Sequence, residues 1–390
     1  MNFAFTAEQE QLRDAVRRLC ERFGDDYWFQ KDREGGFPHD FHKAFAEAGW
    51  LGIAMPEEFG GAGLGITEAA LMMQTIAETG AGFSGCSALH MNIFGLNPVV
   101  VFGTEEQKRR MLPPLVAGEH KACFAVTEPD AGLDTLNLKT KAERRGDHYV
   151  VSGQKTWVSW GQFARWCGVL ARTDDAAPKH KGISMLIVDM RAPGVELRPM
   201  TQITGHAEFC ELFLDDVVVP KQNLLGGSGD GWKIAMHTLG HERGTAALPR
   251  QVKLRTWLDR AVQVAAERTV DGAALIDDPH AQVALARALI GVEVLRHHAY
   301  RTVGAFLQGG PVGPDSSSVK LLMAESEQRL AATALEVLGP TLQHGEEDDA
   351  DEDAFWHETY LYSRAATVYG GTQQIQRDII AGRVLGLPTE

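Results

Sequence analysis

Residues 123–134 read CFAVTEPDAGLD, a short apolar run that gives way at once to a polar, glycine-containing turn. Phe124 and Val126 belong to the run, Thr127 brings a hydroxyl and Glu128 a carboxylate. Pro129 fixes the backbone and removes a donor, and Asp130, Gly132 and Asp134 supply turn chemistry. A buried strand ending this way leaves backbone groups free at its end. That suits a planar ligand with heteroatoms on its edge, and it equally suits an ordinary strand end. Residues 153–161 read GQKTWVSWG. On a strand of period two, Trp157 and Ser159 share one side. An indole face beside a hydroxyl gives stacking area and a hydrogen-bonding group, which is what a flavin isoalloxazine ring needs. His237 and His241 stand four apart with Glu242 beside them. The order is H-x-x-x-H-E, not H-E-x-x-H, and no third ligand is evident, so no metal is expected.

These residues need elements to position them. In the first third, Thr6 and Gln9 fit a capping box ahead of Leu12, Val16, Leu19 and Phe23 at helical spacing. Phe41–Gly49 reads as a second helix. FGGAGLG, residues 59–65, is not a dinucleotide fingerprint, since no strand precedes it, and reads as a flexible connection. Thr67 is expected to cap the next helix, and Thr104 to open another that ends near Gly118. The middle third switches to period two. Strands are expected at Lys139–Glu143, His148–Val151, Trp166–Arg172, Gly182–Asp189, Val195–Arg198 and Glu208–Leu214, with a hairpin at Arg145-Gly146-Asp147. Many short strands predict a small antiparallel barrel. The last third is helical at Trp232–Glu242, Leu254–Glu267, Pro279–Leu307, Ser316–Leu338 and Gln373–Leu385, a bundle that also packs against a second subunit. The fold class is α+β, with a helical domain at 1–120, a β-barrel domain at 121–228 and a helical bundle at 229–390.

The chain has 390 residues, 44% hydrophobic and 23% charged, enough for two or three domains with sizeable cores. Its formal net charge of -14 excludes nucleic acid or an anionic membrane as the main partner, because both select basic patches. Residues 346–353, EEDDADED, carry seven carboxylates and read as a solvated, mobile loop. No basic region precedes an apolar core at the N-terminus, and no run is expected to span a bilayer. Five scattered cysteines without a C-x-x-C read as reduced thiols of a cytoplasmic protein.

FAVTEPDAG followed by G-x-K-x-W-V-S resembles the acyl-CoA dehydrogenase family of flavoproteins. EEFGGAGLGI, GTEEQKRRMLPPLVAGE, FLDDVVVP, LGHERG and the tail YGGTQQIQRDIIAGRVLGLP are similar to that family as well, in the same order from about residue 3 to 388. The resemblance implies a helical–barrel–helical fold, bound FAD, an acyl-CoA substrate and an electron-transferring flavoprotein as the electron acceptor. The assembly it implies is a homotetramer or homodimer. The implied FAD contacts are Phe124, Val126, Thr127, Trp157 and Ser159, with Arg268 from a neighbouring subunit, and Thr372 and Gln374 in the tail. Many members carry a glutamate right after the tail tyrosine. Here Tyr369 is followed by Gly370, so the base is expected at Glu242 in LGHERG, the placement of the isovaleryl and long-chain types. Leu133, Arg243, Tyr369 and Gly370 are the implied acyl-CoA contacts.

Three departures stand out. Leu133 replaces a serine, Trp160 stands where a small or amide residue is common, and Val270-Asp271 replaces a Thr-Phe pair. Two other readings are kept: a flavin monooxygenase or nitroalkane-oxidase-like enzyme on the same fold, and a non-catalytic partner subunit of a hetero-oligomer.

Overall fold

The computed structural model describes residues 5–95, 97–307, 315–342 and 350–388; side chains at 33, 94–95, 241–247, 306–307, 315, 340–341 and 350–351 lie outside the description. The chain forms two compact units, Met1–Met72 with Thr79–Glu242, and Met73–Glu78 with Arg243–Glu390.

In the first unit α1 (Ala7–Cys20) starts on the expected capping box. Thr6 Oγ1 accepts from Gln9 N at 3.2 Å, and Gln9 Oε1 accepts from Thr6 N at 3.1 Å. α2 (Asp25–Glu34) carries too weak an apolar stripe to be seen in sequence, whereas α3 (His39–Glu47) buries Phe41, Ala44 and Phe45. α4 (Ile66–Ala77) starts before Thr67, so this residue sits buried in the first turn and is not the cap. α5 (Gly82–Gly95), α6 (Asn97–Phe102) and α7 (Glu105–Val116) follow, the last with a second capping box from Thr104 and Gln107. Against expectation, the stretch 82–102 is apolar and long enough to cross a membrane by length and composition. Ala88, Leu89, Ile93 and Val99 on it are nonetheless buried. The glycine loop 59–65 is not a loose link. Gly63 N donates to Met55 O at 2.8 Å, and a Cβ on Gly61 would meet that oxygen at 2.1 Å, so only glycine allows this approach.

The strands are β1 (Ala122–Ala125), β2 (Lys141–Arg145), β3 (His148–Ser159), β4 (Trp166–Arg172), β5 (Ile183–Asp189), β6 (Val195–Met200), β7 (Phe209–Pro220) and β8 (Leu224–Leu225). They form one open sheet in the order β6-β7-β3-β2-β4-β5-β8, with β1 parallel to β4. The expected closed antiparallel barrel is therefore corrected. Closure needs continuous staggered pairing around the sheet. Here the register slips twice on β3, and the edge strand β8 is two residues long and pairs with β5. Successive residues of β4 and β5 alternate between two buried clusters. Val169, Leu186 and Val188 join Phe37, Ala88 and Met91, while Leu170, Met185 and Ile187 join Val99, Met111 and Ile234. A sheet covered on both faces by helices explains why these strands read as unbroken apolar runs.

The second unit is helical. Its first helix is the part of α8 (Gly231–Glu267) from Arg243 on, and α8 runs unbroken through Pro249, where two helices were expected. β9 (Thr269–Val270) and β10 (Ala273–Ala274) make a tight hairpin over Asp271 and Gly272, with φ +52° and +81°. α9 (Pro279–Leu307) and α10 (Asp315–Leu342) pack together, and α12 (Gln373–Ile379) closes the tail. α11 (Ala350–Ser363) was not foreseen, because the acidic run hid its start.

Candidate active site

The end of β1 and the end of β3 are tied together. Thr156 N donates to Thr127 O at 2.9 Å. Phe124, Val126 and Thr127 are half-buried there, and Trp157 and Ser159 stand exposed on either side of the fully buried Val158. Trp157 is 53% exposed and meets Phe209 edge-on, with centroids 5.6 Å apart. Its backbone has φ +59°, within a bulge where Lys155–Val158 face Leu212–Cys210. A bulky L-residue held at this angle is strained by about 1–2 kcal/mol.

What braces the junction is a buried ion pair. Lys155 Nζ, fully buried, donates to Glu128 Oε1 at 2.8 Å and to Val126 O at 3.1 Å. Lys139 N and Thr140 N donate to the two Glu128 oxygens at 2.6 and 2.9 Å. Burial alone would raise the Glu128 carboxyl, but the Lys155 ammonium and these donors outweigh it and hold the carboxyl below its ordinary value. Burial likewise pulls Lys155 down, with Glu128 opposing. Sequence reasoning passed over this pair, although its members flank Thr127 and Trp157 in the two motifs.

In the second unit the tail turn is held by its own network. Arg250 Nη1 donates to Tyr369 Oη at 2.7 Å, and Lys320 Nζ lies 4.6 Å above the Tyr369 ring. Burial pushes the Tyr369 hydroxyl up to about 12, with Arg250 pulling against it, so it serves as a neutral hydroxyl. Glu327, 1% exposed, pairs with Lys253 at 3.0 Å. Gly370 and Gly371 both have left-handed backbones, φ +64° and +95°, and the buried Gln376 donates to both their carbonyls at 3.3–3.4 Å. Thr372 caps α12 by accepting from Ile375 N at 3.3 Å, and Gln374 is exposed on that helix.

Arg268 is no surface cation: 11% exposed, it donates to Asp353 Oδ1 at 2.9 Å. Arg260 likewise grips Glu352, Nε to Oε1 at 2.8 Å. The acidic run is thus docked at its end rather than wholly solvated, and its residues 346–349 lie outside the described residues. Glu242 lies on α8, and Arg243 follows it; their side chains, and that of His241, lie outside the described residues as well. His237 Nε2 hydrogen bonds with Asn97 Oδ1 at 3.2 Å. Leu133 is 61% exposed in the turn after β1.

An open indole held at a strained angle, with hydroxyl residues at two neighbouring strand ends, offers stacking area and hydrogen-bonding groups to a planar ring. Comparison with known proteins identifies the class. The chain matches "Acyl-CoA dehydrogenase, N-terminal domain" over residues 6–119, the middle domain over 123–217 and the C-terminal domain over 229–385. It is 38% identical to acyl-CoA dehydrogenase IpdE1 of Mycobacterium tuberculosis (strain ATCC 25618 / H37Rv), covering 91% of this chain and 92% of that one. Among solved structures it resembles the acyl-CoA dehydrogenase from Geobacillus kaustophilus, with TM-score 0.89, 28% identity, and 98% and 100% of the two chains covered. It also resembles a chain of the ChsE4-ChsE5 complex from Mycobacterium tuberculosis, with TM-score 0.85, 30% identity and both chains covered in full. The chain belongs to the acyl-CoA dehydrogenase family. It is an FAD-dependent acyl-CoA dehydrogenase, an oxidoreductase acting on a CH–CH bond.

Proposed function

We propose that the chain oxidises a saturated acyl-CoA to the trans-2-enoyl-CoA, with Glu242 taking the proton alpha to the thioester carbonyl. Bound FAD supplies the acceptor for the hydride of the beta carbon. Trp157 stacks on the ring, and Thr127 and Ser159 with the backbone of Phe124 and Val126 serve its edge. Arg268, Thr372 and Gln374 serve the rest of the cofactor. Leu133, Arg243, Tyr369 and Gly370 contact the acyl-CoA. Domain boundaries at 120/121 and 228/229, a cytoplasmic setting and delivery of electrons to an electron-transferring flavoprotein belong to the same reading. Five buried free thiols fit a reducing compartment. The observation that carries the reading is the half-exposed Trp157 beside Thr127 and Ser159.

An anaerobic titration of the yellow protein with a panel of acyl-CoAs, followed by flavin absorbance, tests it. One thioester class should bleach the flavin. Glu242→Gln should retain FAD and lose bleaching, and unchanged bleaching in that variant would sink Glu242 as the base.

A second reading concerns assembly. The ChsE4-ChsE5 structure, to which the chain is similar, is a complex of two named chains. This favours a hetero-oligomer over the homotetramer or homodimer typical of the family. Native mass spectrometry of the purified chain decides: a flavin-loaded homotetramer or homodimer removes the need for a second chain.

A further inference from the structure

Trp160 is the second bulky residue of the same short stretch with a left-handed backbone, φ +52° against +59° at Trp157. The two are held differently. The Trp157 indole is half exposed, so its own burial does little to retain the strain. Trp160, partly buried, is anchored through its backbone, its ring and its indole N–H. Its N–H donates to Glu208 O at 2.8 Å, and its carbonyl accepts from Phe163 N at 3.0 Å. Its ring packs edge-on against Phe37 and tilted against Phe163, both at 5.9 Å. Its indole N–H donates to Ser87 Oγ at 3.2 Å.

Ser87 lies on α5, beside Ala88 and close to Met91, both of the buried cluster that also holds Phe37 and Val158. Val158 separates Trp157 from Ser159 and is fully buried. The bulge is thus clamped at one end by the buried Lys155 and at the other by Trp160.

We infer that Trp160 is a positioning residue: anchored on Ser87, it keeps the bulge in the form that presents the Trp157 indole to the flavin, so that α5 governs flavin retention. The inference rests on the reading of Trp157 as a flavin contact.

The test uses holoenzyme labelled with 5-fluorotryptophan. The Trp157 fluorine resonance, assigned with W157F, is followed together with the rate of flavin release. Ser87→Ala and Trp160→Phe delete the same hydrogen bond from its two ends while keeping most of the packing. Each should shift or broaden the Trp157 resonance and speed flavin release about five- to tenfold, as loss of one part-buried hydrogen bond implies. The double variant should be no worse than W160F alone, and Ser87→Thr, which keeps a hydroxyl, should behave as the parent. An unmoved Trp157 resonance in folded S87A protein overturns the inference, and so does unaltered flavin release in S87A when Trp157→Ala accelerates it. If Trp157→Ala leaves release unaltered, the flavin reading of Trp157 fails, and the resonance alone then decides the anchor.

Discussion

The Trp157 backbone angle sets structure against function. Glycine adopts φ near +59° without the clash that a side chain incurs. Trp157→Gly should therefore melt higher than Trp157→Ala, by about 1 kcal/mol in thermal denaturation, while both release flavin faster than the parent. Equal stability of the two would show that the bulge relaxes without cost. At the neighbouring ion pair, Glu128→Gln leaves a buried ammonium without its counter-charge. Unfolding by urea should register a loss of about 3–5 kcal/mol, and the double replacement Glu128→Leu with Lys155→Met should recover most of it. That Trp157 and Ser159 share one exposed side of β3 was legible from period two alone. The pair was not, because its members sit 27 residues apart and nothing local in either motif says that they meet.

Elements were legible where the cause is local. The capping box fell where Thr6–Gln9 placed it, and the helix expected to open at Thr104 does so on a second box that was not singled out, since four residues decide a cap. The open sheet was not, because pairing of distant edges depends on bulges that strand spacing does not reveal. α11 was missed for a different reason. Its first residues are acidic, and their counter-charges, Arg260 and Arg268, lie far back in the chain, at the end of α8 and just after it. The pairing makes a prediction about this element. Asp353→Asn should raise hydrogen exchange across 350–363, most in its first turn, because a part-buried charged hydrogen bond is worth about 1.5–3 kcal/mol. Unchanged exchange would assign the docking to Trp356, which is fully buried.

For the molecule entire, motif order alone reached the family and its mixed helix-and-sheet fold, though not the open sheet, since seven stretches in fixed sequence leave few alternatives. How the fold answers to acid was hidden. His42 is buried, its Nε2 hydrogen bonded with Asn92 Oδ1 at 3.2 Å, and Asn92 Nδ2 ties Leu115 O and His120 O at 2.9 Å. Burial first, then the charge of Lys121, pulls His42 from its ordinary 6.5 to about 4. The unfolded chain therefore binds the proton first, so stability should fall by about 3 kcal/mol as pH drops from 6.5 to 4. Glu128 adds to this: held below its ordinary value, its contribution is present above about pH 4.5 and lost as pH falls through its folded value. Urea unfolding at a series of pH values checks the slope, which His42→Gln should flatten between pH 6.5 and 4.

The five cysteines have one more consequence. Cys20, Cys86, Cys123, Cys167 and Cys210 are all free, all buried and all within the first unit, while residues 243–390 contain none. Cys20 and Cys86 ride on helices, whereas Cys123, Cys167 and Cys210 sit inside the sheet, the first two side by side across β1 and β4. The natural chain therefore carries its own clock for breathing motions. A maleimide dye present in excess, with modified peptides mapped over time, times separately the opening of the helical layer and of the sheet, with no engineered label and no background from the second unit.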